Sequence, residues 1–343
     1  MPMPRRFLVT GGCGFLGSNV AREVRERGGS LAVLDNLSRT GSRRNLEWLL
    51  SSGPLDFVEA DVRDAAAVEA LVRRVRPDVV FHLAGQVAMT TSIENPRLDF
   101  EVNVLGTVNV LEAVRRECPA AAVLYSSTNK VYGDLEAYPL EERPTRWVAP
   151  GMEHGFDESV PLSFHSPYGC SKGAADQYVL DYARIYGLRT AVFRHSSICG
   201  DRQFATYDQG WVGWFVKEAL SRAAGSASPV TVSGDGKQVR DVLFAPDAVA
   251  CYFAAAERID AVRGEAFNIG GGMENSLSLL ELLGMLERLV GVGLEVEHLP
   301  WRTSDQKVFV ADIRKAGRLL GWAPSLPCAE GVARMVEWTR ANG

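Results

Sequence analysis

The sequence predicts an α/β fold, a doubly wound parallel sheet with a smaller C-terminal lobe, on three observations. From Arg6 to about Arg194, apolar runs of strand length alternate with segments of helical period, the pattern of a parallel sheet covered on both faces. The first run, Phe7 to Val9, breaks into glycines and then an amphipathic segment, F-L-V-T-G-G-C-G-F-L-G from Phe7 to Gly17. After Arg194 the pattern changes: Gly200 to Gly213 is rich in polar and aromatic residues, and the apolar runs shorten. The chain therefore divides into a Rossmann-type half, 1–195 with returning segments near 241–270, and a lobe built from 196–240 and 271–343.

The opening stretch has the order strand, tight turn, helix. Gly11 allows the turn, Gly14 lets main chain approach a pyrophosphate, and Gly17 lets the helix pack on the strand. Phe15 and Leu16 start that helix, whose unpaired N–H groups and positive dipole end suit an anion. The second run, Leu31 to Leu34, ends in Asp35, 24 positions after Gly11. A carboxylate there accepts hydrogen bonds from both ribose hydroxyls and repels a 2′-phosphate, so NAD is favoured over NADP. Asn36 and Ser38 extend the same edge, while the nearby Arg39 tempers the preference. Further strands are expected at Asp56 to Ala60, Val79 to Ala84, Ala121 to Ser126 and Arg189 to Arg194, with helices starting near Ala65, Pro96 and Pro167. Asp61 and Val62 follow the third strand, where an adenine would lie; Asp61 is alternatively the cap of the helix that follows. Leu83, Ala84 and Gly85 end the fourth strand with small residues that admit a cofactor, and Asn103 is placed to tie neighbouring loops together. Later segments are expected to form a helix over Phe244 to Arg258, a strand over Ala266 to Ile269, and helices over Ser276 to Val290, Ile313 to Leu320 and Ala329 to Arg340. Ser276 or Ser278 is the expected cap of the first of these last three.

Composition excludes several classes. Lys plus Arg total 37 against 42 Asp plus Glu, so no global basic field attracts nucleic acid. No apolar run approaches membrane-spanning length, and Met1 to Arg6 is too short in apolar residues for a signal peptide. The cysteines at 13, 118, 170, 199, 251 and 328 show no C-x-x-C pair and no His at metal-ligand spacing, which implies reduced thiols in a cytoplasmic protein without a bound metal. Cys170 fits a small buried residue.

The chemistry is expected at Tyr168-Gly-Cys-Ser-Lys172. An i, i+4 spacing on one helix sets phenol and ammonium on one face, where the cation favours a phenolate and Tyr168 becomes the acid–base. Ser126-Ser127-Thr128 ends the fifth strand at the carboxyl edge of the sheet, where a reacting group should lie. With these residues in place the chain resembles the extended short-chain dehydrogenase/reductase family of nucleotide-sugar epimerases. That resemblance implies Thr128, Tyr168 and Lys172 as catalytic residues, NAD as cofactor and a nucleotide sugar as substrate. It further implies a homodimer or homotetramer. V-R-D-V at 239–242 and P-W-R-T-S-D at 300–305 resemble the family's sugar-nucleotide motifs, which implies Arg240 and Arg302 as pyrophosphate clamps. Gln86, Asn129, Gln209 and Asp305 join them as candidate substrate ligands, and Ser197 is either a ligand or loop polarity. Asn129 and Lys130 follow Thr128 where the related 4,6-dehydratases carry a carboxylate, which argues for epimerisation over elimination. Longer blocks, such as A-G-Q-V-A-M-T-T-S and Q-F-A-T-Y-D-Q-G-W-V-G-W, resemble the family's 2-epimerases of CDP-linked hexoses and alone place the reaction at C2. A UDP-glucose-type 4-epimerase and a non-catalytic dinucleotide sensor remain as alternatives. Cys199 stands where that group is expected to carry a tyrosine; if this position touches the sugar, the pocket is enlarged and the substrate altered.

Overall fold

The computed structural model describes residues 5–342; Met1 to Pro4, part of the N-terminal stretch considered above, lie outside them. Seven parallel strands form the central sheet: β1 (Arg6–Thr10), β2 (Ser30–Asp35), β3 (Asp56–Glu59), β4 (Val79–His82), β5 (Ala122–Thr128), β6 (Arg189–His195) and β7 (Glu265–Ile269). Their order is β7-β6-β5-β4-β1-β2-β3, so the chain reverses direction across the sheet between β1 and β4. In open α/β sheets that reversal opens a crevice at the carboxyl ends of the strands.

Alternation along β1 sets the layers. Phe7 and Val9 point into one core with Val33, Phe81, Leu124, Phe193 and Phe267, beneath the helices Phe15–Glu26 and Ala245–Glu257. Leu8 points into the opposite core with Leu34, Val80, Val123 and Val192, beneath Ala65–Val75, Gly106–Glu117 and Ser166–Tyr186. Burying both faces is what makes these strands apolar throughout.

A third core, around Val212, Phe215, Val232, Phe244, Leu282 and Met335, builds the lobe. Here the expected helix at Ser276 is shortened. Ser276–Ser278 is a strand paired antiparallel to Val239–Phe244, and the helix runs Leu279–Val290. Ser278 caps it: its hydroxyl accepts from the Glu281 N–H while Glu281 accepts from the Ser278 N–H. The cap of Ala65–Val75 is Asp64, which accepts from Ala67 N at 3.0 Å; Asp61 is therefore not a helix cap. Helices Ser42–Ser51 and Trp211–Ala223 were not expected from periodicity. Both begin after a left-handed glycine, Gly41 (φ 85°) and Gly210 (φ 80°), inside stretches that read as polar loop. The helix starting at Pro96 passes through one π turn, Glu101–Leu105, before continuing as Gly106–Glu117. Such turns shift the face a helix presents, and they recur at functional sites.

Candidate active site

At the reversal point the glycine turn is held by main-chain packing. Gly11 has φ 69°, and a Cβ on it would lie 2.6 Å from the Ala84 nitrogen. A Cβ on Gly17 would lie 2.0 Å from the Gly11 carbonyl oxygen. Gly14 is the N-cap of Phe15–Glu26, with no side chain capping the helix and no acidic residue in its first turn. Its leading N–H groups are thus left for an anion. Asp35 closes this end of the site, accepting from Cys13 N at 2.9 Å and Leu37 N at 2.8 Å; burial pushes its carboxyl up and those N–H groups pull it back. Burial also acts to raise Asp61, but hydrogen bonds from Arg63 and Asn36 outweigh it and hold the carboxyl low. This donor set suits a dinucleotide: main-chain N–H groups and a cradle that any Cβ would fill for the pyrophosphate, and a carboxylate for the ribose.

A cleft of about 680 Å³ runs from here to the lobe, within the range of small-molecule sites. Its wall includes Gly11, Gly14, Phe15, Leu16, Gly17, Asp35, Asn36, Ser38, Arg39, Asp61, Val62, Leu83, Ala84 and Gly85 at the end beside the glycine turn. Gln86, Thr128, Tyr168, Lys172, Ser197 and Gln209 lie toward the lobe.

Strand and helix together bring the catalytic candidates to one cleft. Thr128 is the last residue of β5, while Tyr168 and Lys172 lie one turn apart near the start of Ser166–Tyr186. Lys172 is buried, donates to the Ser126 carbonyl and lies 4.4 Å from the centre of the Tyr125 ring. Burial pulls its ammonium down to about 7, opposed by Asp99 and Asp176. Tyr168 moves the other way. Its surroundings push the phenol up to about 12, with a Thr128 hydrogen bond opposing. In the protein alone, then, desolvation raises the phenol, and the group that opposes it is Thr128 and not Lys172 as expected. His195, on the same wall, bonds the Tyr252 hydroxyl through Nε2 at 2.8 Å, and burial drives it down to about 3, so it is neutral.

The remaining candidates are placed differently. Asn103 is not on the cleft wall; it donates to the Gln86 carbonyl at 3.0 Å and Ser171 Oγ at 2.9 Å, and accepts from Gln86 N at 2.9 Å. Ser197 accepts from the Trp211 indole at 2.7 Å, leaving its own proton free to donate. Asn129, Arg240, Arg302 and Asp305 form a separate group beside the cleft. Arg240, with its side chain only 12% exposed, pairs with Asp305 at 2.9 Å, and the Arg302 guanidinium lies 4.4 Å from the centre of the Tyr207 ring. Asn129 donates to Gln306 at 2.9 Å. Lys130, unassigned by sequence, joins this group by donating to the Ser304 carbonyl at 3.0 Å. No spacing links 130 to 304.

Two cysteines depart from expectation. Cys199 is buried in the lobe core with Val212, Phe215 and Phe244, not on the cleft wall, because it ends a short strand whose Ser197 and Ile198 are the residues that reach the cleft. The expected enlargement of the sugar pocket therefore does not follow. Cys170 is exposed, not buried, because it points away from the packed side of its helix. Among the described residues no group of acidic, His and Cys side chains is arranged for a metal.

A glycine turn at a sheet reversal, with a Tyr–Lys helix and a strand-end threonine on the same cleft, is the arrangement of the short-chain dehydrogenase/reductase class. The NAD dependent epimerase/dehydratase family model matches residues 7–270, and the chain belongs to that family. NAD is accordingly its cofactor. It is 56% identical over 334 residues to a CDP-paratose 2-epimerase from Salmonella typhi, covering 97% of this chain and 99% of that protein. A UDP-glucose 4-epimerase structure from Thermotoga maritima, solved with UDP-glucose, superposes with TM-score 0.82 at 30% identity over 98% of each chain. The Thermus thermophilus UDP-glucose 4-epimerase complex with NAD gives TM-score 0.81 at 31% identity, covering 98% of this chain and all of the other.

Proposed function

We propose that this protein is an NAD-dependent nucleotide-sugar 2-epimerase converting a CDP-linked dideoxyhexose of the paratose type to its tyvelose-type C2 epimer. The carrying observation is the end-to-end 56% identity with a CDP-paratose 2-epimerase in a chain whose Thr128, Tyr168 and Lys172 meet on one cleft. NAD, when bound, supplies a hydride acceptor that returns the hydride to the same carbon. Tyr168 takes the proton from the sugar hydroxyl as the carbon is oxidised and gives it back after the ketose has turned over. Thr128 holds that hydroxyl, and Lys172 supports the phenolate. Gly11, Gly14, Gly17 and the N–H groups after them hold the pyrophosphate of the cofactor, and Asp35 its ribose.

The residues after Thr128 support epimerisation. Asn129 carries an amide, bonded to Gln306, and Lys130 an ammonium, bonded to Ser304 and near Asp305, so neither offers the carboxylate that elimination of water needs. Arg240 and Arg302 clamp the substrate's diphosphate, with Gln86, Ser197 and Gln209 toward the sugar. Exposed Phe100, Leu105, Tyr178, Ile185 and Tyr186 on neighbouring helices support assembly into a homo-oligomer, which light scattering on the purified protein tests. Free cysteines throughout, and no described helix long and apolar enough to cross a membrane, support a cytoplasmic enzyme.

The test is an NMR assay of the purified protein with CDP-, UDP-, GDP- and dTDP-hexoses in deuterated water without added NAD. Interconversion at C2 of the CDP-sugar, with little deuterium at that carbon, is expected because the hydride is returned. Heavy deuterium incorporation at C2, reaction at C4 or no reaction with any sugar would each overturn the proposal.

A further inference from the structure

Two carboxylates bear on the buried Lys172, and they are not equivalent. Asp176 is already neutralised: Arg194 grips it through Nε at 2.9 Å and Nη2 at 3.0 Å, and Ser127 adds a third bond at 2.8 Å. Asp99 has no such partner. It is fully buried on the short helix Pro96–Phe100, and its three donors are uncharged: Gln86 Nε2 at 2.8 Å and Asn103 Nδ2 at 3.3 Å to Oδ1, and the Ser171 hydroxyl to Oδ2. Both of its oxygens accept, which is the arrangement of an ionised carboxylate. An unpaired buried charge is costly: burial pushes the Asp99 carboxyl up, and Lys172 is the cation that favours its charged form. Lys172 follows Ser171 in the chain. The other titratable groups around Lys172 do not compete: His82 and His195 are held neutral by burial, and Tyr125 and Tyr168 are pushed up.

We propose that Asp99 is the counter-ion of Lys172, a positioning residue that keeps the ammonium charged beside Tyr168 and fixes its helix through Ser171. The proposal rests on Tyr168 and Lys172 being the acid–base pair, and not on which sugar they act upon. The π turn after Phe100 has a part in it. By shifting the helix face it lets Asn103 donate to both Asp99 and Ser171, and it brings Asn103 Oδ1 to where a Cβ on Gly85 would lie 3.0 Å away and 3.7 Å from Lys172 Nζ. Carboxylate, amide and ammonium are thereby packed into one layer.

The test is a ¹³Cε NMR titration of lysine-labelled holoprotein, the Lys172 signal being the one lost in Lys172→Met. Removing a negative charge beside an ammonium disfavours its protonated form. In Asp99→Asn the Lys172 midpoint should therefore fall by about one pH unit or more, and Asp99→Asn/Asn103→Asp, which returns a carboxylate one turn away, should restore most of it. A midpoint unchanged in folded Asp99→Asn overturns the proposal. Loss of a buried carboxylate can unfold a chain, so a reciprocal arm uses aspartate ¹³Cγ signals in Lys172→Met. With the ammonium gone the Asp99 midpoint should rise by about one unit; no rise overturns the proposal. Neither arm needs turnover, so an inactive wild type would count against the epimerase reading and leave this one standing. Where turnover is measured, both limbs of the pH profile should move to lower pH in Asp99→Asn, since Asp99 also raises Tyr168. A fold-loss without that movement is what a purely structural residue gives.

Discussion

At its glycine turn the first half of the chain presents main chain to the cleft; the group beside the cleft, in which Asn129 joins Arg240, Arg302 and Asp305 of the C-terminal lobe, presents side chains that already have partners. Gly11 and Gly17 are fixed by contacts of 2.6 Å and 2.0 Å that a Cβ would make with backbone atoms. Arg240 is held by Asp305, Arg302 by Tyr207, and Asn129 by Gln306. A site made of backbone is rigid before its ligand arrives, and it tolerates no side chain. A site made of paired side chains must exchange partners, so its residues tune affinity without abolishing the reaction. The contrast predicts where substitutions remove chemistry or cofactor, and where they only shift a binding constant.

The largest effect is expected where the two walls meet. Tyr168→Phe deletes the oxygen proposed as acid–base and keeps the ring, so turnover in the NMR assay should fall by about 10³-fold or more. The cofactor copurifying with the protein, read by absorbance after denaturation, should stay near the wild-type amount. An active Tyr168→Phe enzyme would remove the catalytic assignment. On the main-chain wall, Gly17→Ala drives a methyl into the Gly11 carbonyl oxygen, 2.0 Å away, with no flexible side chain to yield. It should cost about 1–3 kcal/mol of stability and cut the copurifying NAD several-fold, seen as a lower melting temperature and lower cofactor content. Normal NAD content in Gly17→Ala would show that the glycine turn is not tied to the cofactor.

The lobe should respond more gently. With Arg240 the proposed clamp of the substrate's diphosphate, Arg240→Met removes a charge-assisted partner worth about 1.5–3 kcal/mol. KM for the nucleotide sugar should therefore rise by about tenfold or more, with kcat changed far less. Asp305→Asn should act in the opposite direction. Asp305 is the anion that Arg240 holds at 2.9 Å and that Lys130 approaches at 3.9 Å, so a diphosphate clamped by Arg240 would have to displace it. Losing that competitor should lower KM. If both variants raise KM, Asp305 belongs to the substrate site and does not compete with it.

The same division explains what the sequence revealed. Strands β1, β2, β4, β5, β6 and β7 are legible because burial on both faces demands apolar runs, and β3, D-F-V-E with exposed ends, by its two apolar residues; the glycine turn is legible because close main-chain approach demands glycine at fixed offsets. Thr128, Tyr168 and Lys172 are legible because a strand end and an i, i+4 helix face are local patterns. Asp99 left no such trace: its role depends on Arg194 having taken Asp176, which no spacing records. Lys130 is hidden for the same reason, its partner lying 174 residues away. Helix Ser42–Ser51 was missed because it starts after Gly41 in a run of Thr, Gly, Ser and Arg that reads as loop, and its buried Leu46 and Leu49 are too few to give a period.

Cys199 is where resemblance and packing part, and it carries the smallest expected effect on catalysis. Resemblance expects a tyrosine here and, if the position touches sugar, a larger pocket. The thiol is 1% exposed, surrounded by Val212, Phe215 and Phe244, while Ser197 and Ile198 of the same short strand line the cleft. Burial also pushes the thiol pKa well up, so it is neutral and unreactive there. Cys199→Tyr must therefore fit a ring into space that the lobe core has already filled. That overpacking should cost about 1–3 kcal/mol of stability, read as a lower melting temperature. The ratio of rates on CDP- and UDP-sugars should stay within about threefold of wild type, since one shape change at a distance from the sugar is worth under about 1 kcal/mol. A variant that keeps its stability and changes that ratio tenfold would show that the strand turns its 199 side chain to the cleft when substrate is bound, and would move sugar selection into this part of the lobe.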